Sequence, residues 1–433
     1  MDLNKIIDIV QGKVLNKYKN NKINKIVTDT RKIKKNDLFI ALKGNRYNGH
    51  DFVNDIKKAS GIIIDEDMEV KTDIPVIKVE STYQVLFQLG SYFRNNYDIP
   101  LIAITGSNGK TTTKELISFI LESKYNVLKN SDNKNNIIGV SDTLFHLNCK
   151  HKIIVMEMGM NHKEEISKLS CMCKPNIAII TNIGSSHIGL LKSKRNIYKA
   201  KLEILDGLTG KIIVNGDDKY LKKIKNSYKC GRNYYNDLIA YNIYSNTEFL
   251  EFSIYLDKEY RVKFNNPGIH FVNDILIAIK VCLLYDVDIN TIVNRINEFK
   301  MVDKRMNIKK YKDITIIDDC YNANYESMIA GLNVLKNING DKIIILGDML
   351  ELGKYSKKYH FKLNFILGKI YDKEVLTVGH YSNYIKGKHF TNNTDLISYL
   401  KNEDLHDKYI FIKGSRGMHL EEVKKYIESK IKV

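Results

Sequence analysis

Gly106, Gly109, Lys110 and Thr111, in the stretch TGSNGKTT, combine the residue types that hold a phosphate tail. Glycines let backbone N–H groups approach an anion, a lysine ammonium supplies a point charge for terminal phosphates, and a hydroxyl serves Mg²⁺. Ser107, Asn108 and Thr112 fill the rest of the loop and are candidate nucleotide contacts. The common phosphate loop has a glycine five positions before Gly109, where this chain has Ile104, so the loop is shorter than that of generic GTPases. Glu157 ends the apolar run KIIVMEMG. A carboxylate at the end of a parallel strand, beside a phosphate loop, can hold Mg²⁺ directly or through water. A lone strand-end glutamate is otherwise simply solvated. His187, in TNIGSSHIGLL, follows the next strand and can reach the same crevice, although a loop histidine by itself is usually only solvated.

Lys201 is the most informative single residue. In NIYKAKLEILDGL, Ile197, Ala200, Ile204, Leu205 and Leu208 form one helical stripe, and Lys201 falls inside it. An inward lysine is costly unless neutral, paired or modified. The bland alternative is a side chain that extends its ammonium to the surface. The sharper reading is an amine of depressed pKa that adds CO₂ and, as a carbamate, becomes a ligand for Mg²⁺.

Further on, His270 and Asn273 follow Gly268 at a helix start, where a purine or its ribose can be met, or where they merely cap and pack. Asp319, in IIDDCYNANYESM, and Lys413, Ser415 and Arg416, in FIKGSRGMHL, again sit just past apolar strands. Two sets of strand ends of this kind suggest a nucleotide and an anionic substrate clamped between two α/β units.

The elements that must position these groups are legible in the patterning. Residues 1–98 mix short strands (KIVTDT, DLFIAL, GIIID, PVIKV) with helices such as Thr82 to Asn95. From residue 99 to 309, long apolar strands (PLIAIT, KIIVMEMG, NIAIITNIG, KIIVNGDD) alternate with helices, as in a parallel sheet covered on both faces. Within that stretch residues 238–264 alternate like a small antiparallel meander, and NNPGIHFVNDILIAIKVCLLYD returns to helix. Residues 310–433 repeat strand and helix through DITIIDD, KIIILGD, EVLTVG and KYIFIKGS. The expected fold is α/β in three domains: a small mixed domain, a central mostly parallel sheet of phosphate-loop type with the meander, and a C-terminal α/β domain.

Composition narrows the class further. The chain has 433 residues and a net charge of +18, with lysines spread along its whole length rather than in blocks. Such a field suits nucleic acid but equally nucleotides and other anionic small molecules. The start MDLNKIIDIV is no secretory signal, and no run is long enough to span a bilayer. Six cysteines in this length fit reduced thiols in a cytoplasmic protein, and Cys149, His151, Cys171 and Cys173 match no standard zinc spacing.

Along its whole length the chain resembles the Mur ligase family. TDTRKIKKNDLFIALKGNRYNGHDF resembles its amino-terminal uridine-binding region, ITGSNGKTTTKE its phosphate loop, and AKLEI its carbamylated-lysine motif. DDCYNANYESM and LGDMLELG resemble the member that adds D-alanyl-D-alanine, and the Asp-Asn-Pro-Arg motif of the diaminopimelate- or lysine-adding relative is absent. The chain departs from the pattern at Phe271, Cys320 and Tyr325, where Asn, Ser or Thr, and Pro are usual, and Asn36 replaces a turn glycine, implying a left-handed turn.

The resemblance implies the remaining assignments. Thr30, Arg31, Gly49 and His50 would bind the UDP end of the substrate. Asn136, beside Asn135, Asn273, Arg305 and Asp319 would join the phosphate loop around ATP. Thr111, Glu157, His187 and the Lys201 carbamate would hold a pair of Mg²⁺ ions, with Lys110, His187 and Lys201 catalytic. Tyr321, Asn322, Asn324, Lys413, Ser415 and Arg416 would meet the peptide. The first domain would bind the UDP substrate and the last would be dinucleotide-binding-like, closing on ATP and the dipeptide. The expected activity is ATP-driven amide formation between UDP-N-acetylmuramoyl-tripeptide and D-alanyl-D-alanine in peptidoglycan precursor synthesis, by a cytoplasmic monomer without nucleic-acid or membrane partners. The competing readings are another Mur-type or folylpolyglutamate-type ligase, and an ATPase stimulated by nucleic acid. Adding single- or double-stranded DNA or RNA to a phosphate-release assay should leave turnover unchanged; marked stimulation would favour the ATPase.

Overall fold

The computed structural model describes residues 1–44, 47–131, 134–301 and 305–431. Runs of Ile, Val and Leu too apolar to face water on either side set its centre. Seven strands pair in the order Leu238–Ile239, Ser227–Gly231, Lys211–Asn215, Ile177–Ile180, Leu101–Thr105, Ile153–Glu157 and Val127–Lys129, all parallel. Every residue of Leu101–Thr105 and Ile153–Glu157 is buried, as expected of a sheet covered by helices on both faces. The strand Leu101–Thr105 lies between Ile177–Ile180 and Ile153–Glu157, where the winding reverses. At such a switch point the carboxyl ends of neighbouring strands open a crevice. The phosphate loop, Glu157 and the turn leading to His187 leave those three strand ends.

The amino-terminal sheet pairs Lys13–Val14, Val76–Lys78, Gly61–Ile64, Leu38–Ile40 and Ile26–Val27, the first pair antiparallel and the others parallel. The helix Thr82–Asn95 packs against it, with Ser81 as its N-cap. Asn36 takes φ 68°, the left-handed turn its sequence context implies. Tyr241–Ser245, Leu250–Tyr255 and Glu259–Phe264 form the antiparallel meander. The expected start of that meander at residue 238 is too early. Leu238, almost fully buried, and Ile239 pair in parallel with Ser227–Gly231 and extend the central sheet instead.

The last sheet orders Asn307–Tyr311, Ile314–Asp318, Tyr409–Lys413, Lys342–Gly347, Lys373–Val378 and Lys388–Phe390, parallel except for the first strand. A division between residues 309 and 310 would cut the strand Asn307–Tyr311, which pairs along its whole length with Ile314–Asp318, so this lobe starts before residue 307. One continuous apolar core joins the two larger lobes, running from Ile104 and Ile179 of the central sheet to Met328, Leu332 and Phe411 of the last. None of the six cysteines is in a disulfide. Among the described residues no helix is long and apolar enough to cross a membrane.

Two glycines are required by space at the switch point. A Cβ on Gly106 would stand 1.8 Å from Thr181 Oγ1. Gly109, with φ 79°, leads into the helix Lys110–Leu121, and a Cβ there would stand 2.4 Å from Asp274 Oδ1. Gly109→Ala therefore meets both a left-handed backbone and a collision. It should lower stability by roughly 1–3 kcal/mol in denaturant unfolding; an unchanged midpoint would show that the loop yields freely.

Candidate active site

Glu157 is 2 % exposed and fully engaged. Thr111 Oγ1 donates to its Oε2 at 2.7 Å and Asn135 Nδ2 to its Oε1 at 2.8 Å, while Asn130 bonds its backbone N–H and C=O. Asn136 spends its side chain capping the helix Ile137–Phe145, accepting from Gly139 N–H at 3.0 Å. Lys110 Nζ donates to Gly106 C=O at 2.9 Å. Loss of bulk water lowers the Lys110 pKa, against the pull of Glu157.

The Thr111 hydroxyl and the Glu157 carboxylate offer hard oxygen donors side by side. Among the described residues no group of three or more His, Cys, Asp or Glu is placed to hold a metal. This sparse oxygen set fits Mg²⁺, which uses one or two protein oxygens and fills its other positions with phosphate and water.

The helix Lys194–Leu202, capped by Ser193, turns Ile197, Ala200 and Lys201 inward. Lys201 is 2 % exposed. Burial, reinforced by the nearby Lys110 charge, holds its pKa well below the ordinary lysine value. The neutral amine so favoured is the form that adds CO₂. His187 takes φ 59° at the start of a short helix, and its Nδ1 stands 2.7 Å from Glu351 Oε2 of the other lobe. That approach is close enough for an ion pair but too bent for a directed hydrogen bond.

From the last sheet, Lys413 Nζ bonds Asp319 Oδ2 at 2.6 Å and Asn322 C=O at 3.1 Å. Burial raises the Asp319 pKa, and Lys413 restrains the rise. Arg305 lies 4.0 Å from the Tyr321 ring centroid, with Arg416 5.7 Å from the same ring. Asn273, on the helix Phe271–Leu284, has a buried Oδ1 without a partner among the described residues. Phe271 packs on Phe264 and on His270.

All these groups line one cavity of about 740 Å³ between the lobes: the phosphate loop from Gly106 to Thr112, Asn136, Glu157, His187, Lys201, Asn273, Arg305, Asp319, Tyr321, Asn322, Asn324, Lys413 and Arg416. Ser415 does not line it; its hydroxyl accepts from Leu350 N–H and donates to Ala323 C=O, tying two loops together. Thr30 and Arg31 lie in the short 3-10 helix Thr30–Lys32, and Gly49 and His50 in another, Gly49–Asp55, both in the amino-terminal lobe and away from the cavity walls. Arg31 is exposed and pairs with Asp29. His50 is 3 % exposed, its ring nitrogens facing Asn48 and Asp65, so it orders its loop from within.

Residues 104–282 match the model of the Mur ligase middle domain and residues 304–428 that of the Mur ligase glutamate ligase domain. The UDP-N-acetylmuramoyl-tripeptide–D-alanyl-D-alanine ligase of Buchnera aphidicola subsp. Baizongia pistaciae is 36 % identical over 92 % of this chain and 91 % of its own. The chain belongs to the Mur ligase family. The ligase of the same name from Bacillus subtilis is 34 % identical over 98 % of each chain. A crystal structure of MurF from Acinetobacter baumannii superposes with a TM-score of 0.91 at 28 % identity, covering 99 % of this chain and 98 % of that one.

Sequence reading missed several wall residues of this Mur ligase. Glu326 and Glu351 reach across from the other lobe, a contact no local pattern announces. Asp274 is an acid on the buried face of the helix Phe271–Leu284, and its period could have marked it as Lys201 was marked. Burial pushes its carboxyl up to about 7, against the pull of Thr113 and Arg305. The native state thus binds this proton more tightly than the unfolded chain, so its stability is full at low pH and falls as pH rises from about 4 to about 7. Asp274→Asn should leave stability nearly unchanged at pH 4 and raise it at pH 8, by on the order of 4 kcal/mol, in chemical denaturation. A gain independent of pH would contradict this origin.

Proposed function

We propose that this Mur ligase joins the amine of D-alanyl-D-alanine to the free carboxylate of UDP-N-acetylmuramoyl-tripeptide at the expense of ATP, yielding ADP and phosphate. The observation that carries the reading is the shared cavity, in which a phosphate loop, a hard-oxygen pair and a buried lysine face polar groups of a second lobe. The names of its near full-length relatives supply the substrates.

The γ-phosphoryl group passes to the substrate carboxylate, giving an acyl phosphate and ADP. The dipeptide amine then attacks the acyl carbon, and phosphate leaves from a tetrahedral intermediate. Carboxylate and triphosphate repel each other, so Lys110 and Arg305 neutralise them and hold them in line. Thr111 and Glu157 would hold Mg²⁺, which would supply positive charge for the phosphate oxygens. Lys201, as the amine, takes up CO₂ and releases a proton; its carbamate and His187 would hold a second Mg²⁺. The loop residues Gly106, Ser107, Asn108, Gly109 and Thr112 wrap the phosphates, with Asn136 behind them. Asn273 meets the adenosine, and Asp319 fixes Lys413 beside the nucleotide. Tyr321, Asn322, Lys413 and Arg416 meet the peptide ends, and Thr30, Arg31 and the loop of Gly49 and His50 meet the UDP.

An acyl phosphate is destroyed by water, so the walls must close before it forms. Residues 1–98, 99 to about 306, and the remainder are the units that move to close them. The enzyme acts as a cytoplasmic monomer.

Phosphate release from ATP should require both the UDP-tripeptide and D-alanyl-D-alanine, and release indifferent to the dipeptide would contradict the assignment. Lys201→Ala should lose at least about a hundredfold in turnover, with partial recovery on adding short carboxylic acids. Full activity without them would remove Lys201 from the reaction.

A further inference from the structure

Asn324 heads the helix Tyr325–Leu335 and lines the cavity, which invites its assignment to the peptide substrate. Its hydrogen bonds argue otherwise. An asparagine side chain has two N–H donors and an oxygen with two lone pairs. The Asn324 Oδ1 accepts from Ser327 N–H at 2.9 Å, as the helix cap, and from Asn108 Nδ2 at 3.2 Å. Its Nδ2 donates to Asn108 Oδ1 and to Ser186 Oγ, each at 2.6 Å. All four valences are taken and the residue is 8 % exposed, so nothing remains for a substrate.

The partners are the telling part. Asn108 is the centre of the phosphate loop. Asn182 holds its backbone from below, through Asn108 N–H to Asn182 Oδ1 at 2.9 Å and Asn182 Nδ2 to Asn108 C=O at 3.1 Å. Among the described residues its side-chain amide bonds only Asn324, in a reciprocal amide pair. Ser186 lies in the turn that follows the strand Ile177–Ile180, and Gly184 N–H of the same turn bonds Ser107 Oγ at 2.8 Å. Two residues past Asn324, Glu326 grips that turn: its carboxylate accepts from Ser185 N–H at 2.8 Å, Ser185 Oγ at 2.6 Å and Lys194 Nζ at 2.8 Å. The first turn of one helix thus docks on both loops that wrap the triphosphate site, through bonds that exist only while the lobes are together.

We propose that Asn324, supported by Glu326, is a positioning residue that locks the phosphate-loop residue Asn108 into its working geometry only when the C-terminal lobe is seated. The lobe that brings the dipeptide thereby switches on phosphoryl transfer, and the acyl phosphate is not made in an open, wet site. This rests on the ligase reading for its kinetic test, but not for its structural one.

Asn324→Ser keeps a side-chain cap for the helix while removing the amide pair. In dipeptide-dependent phosphate release, kcat should fall at least about tenfold, with the KM for D-alanyl-D-alanine changed less than about twofold. The thermal unfolding midpoint should stay. Asn108→Ala combined with Asn324→Ser should be no slower than the slower single variant, since either change breaks the same pair. Glu326→Gln should shift kcat in the same direction. A raised KM with kcat kept would make Asn324 a substrate ligand, and fully additive losses or wild-type kinetics would equally overturn the proposal. Wild-type enzyme without dipeptide-dependent release would instead sink the ligase reading. The clip is then judged by small-angle X-ray scattering with a non-hydrolysable ATP analogue and Mg²⁺. The wild type should become more compact and Asn324→Ser should not; equal compaction overturns the clip.

Discussion

A lysine amine kept away from water is the constraint on which the active-site architecture turns. Lys201 sits among Ile197, Ala200 and Ile204, with a second ammonium, Lys110, raising the cost of any further charge. Such a site tolerates the neutral amine and, once CO₂ has added, an anion that offsets Lys110 instead of opposing it. The same enclosure that depresses the amine also excludes water from an acyl phosphate. One physical condition, a cavity walled by two sheets, would therefore serve both the proposed modification and the proposed chemistry.

The fold supplies that condition at little distance from the chain's own logic. Reversal of strand order beside Leu101–Thr105 places the phosphate loop, Glu157 and the turn before His187 at adjacent strand ends. The last sheet offers Asp319 and Lys413 at its own strand ends, and with the lobes together one apolar core runs from the first sheet to the second. Packing orients the lobes, and the polar bonds of Asn324 and Glu326 register them. Division of labour of this kind is expected, since apolar burial has no direction and hydrogen bonds do.

Much of this was legible in the residues. The phosphate loop announces itself through Gly106, Gly109, Lys110 and Thr111, and Lys201 through its place in a helical stripe. Long apolar runs identified the central strands, because strands buried on both faces leave no alternation to misread. What escaped detection depends on contacts distant in sequence: Glu326 meets Ser185 across 141 positions, and Asn324 meets Asn108 across 216. Leu238 reads as meander because a strand of two residues is too short to declare which sheet it joins. His50 draws notice as a polar residue in a binding segment, yet its ring nitrogens are engaged by Asn48 and by Asp65, just past the strand Gly61–Ile64.

The central claim is that the Lys201 amine is neutral enough to carry CO₂ in the working enzyme. Carbon-13 NMR of the protein equilibrated with ¹³C-labelled bicarbonate at neutral pH tests it most directly. A single carbamate resonance, slow to exchange and missing from the Lys201→Arg variant, is the expected spectrum. A wild-type spectrum without that resonance, with or without nucleotide and Mg²⁺, would contradict the account.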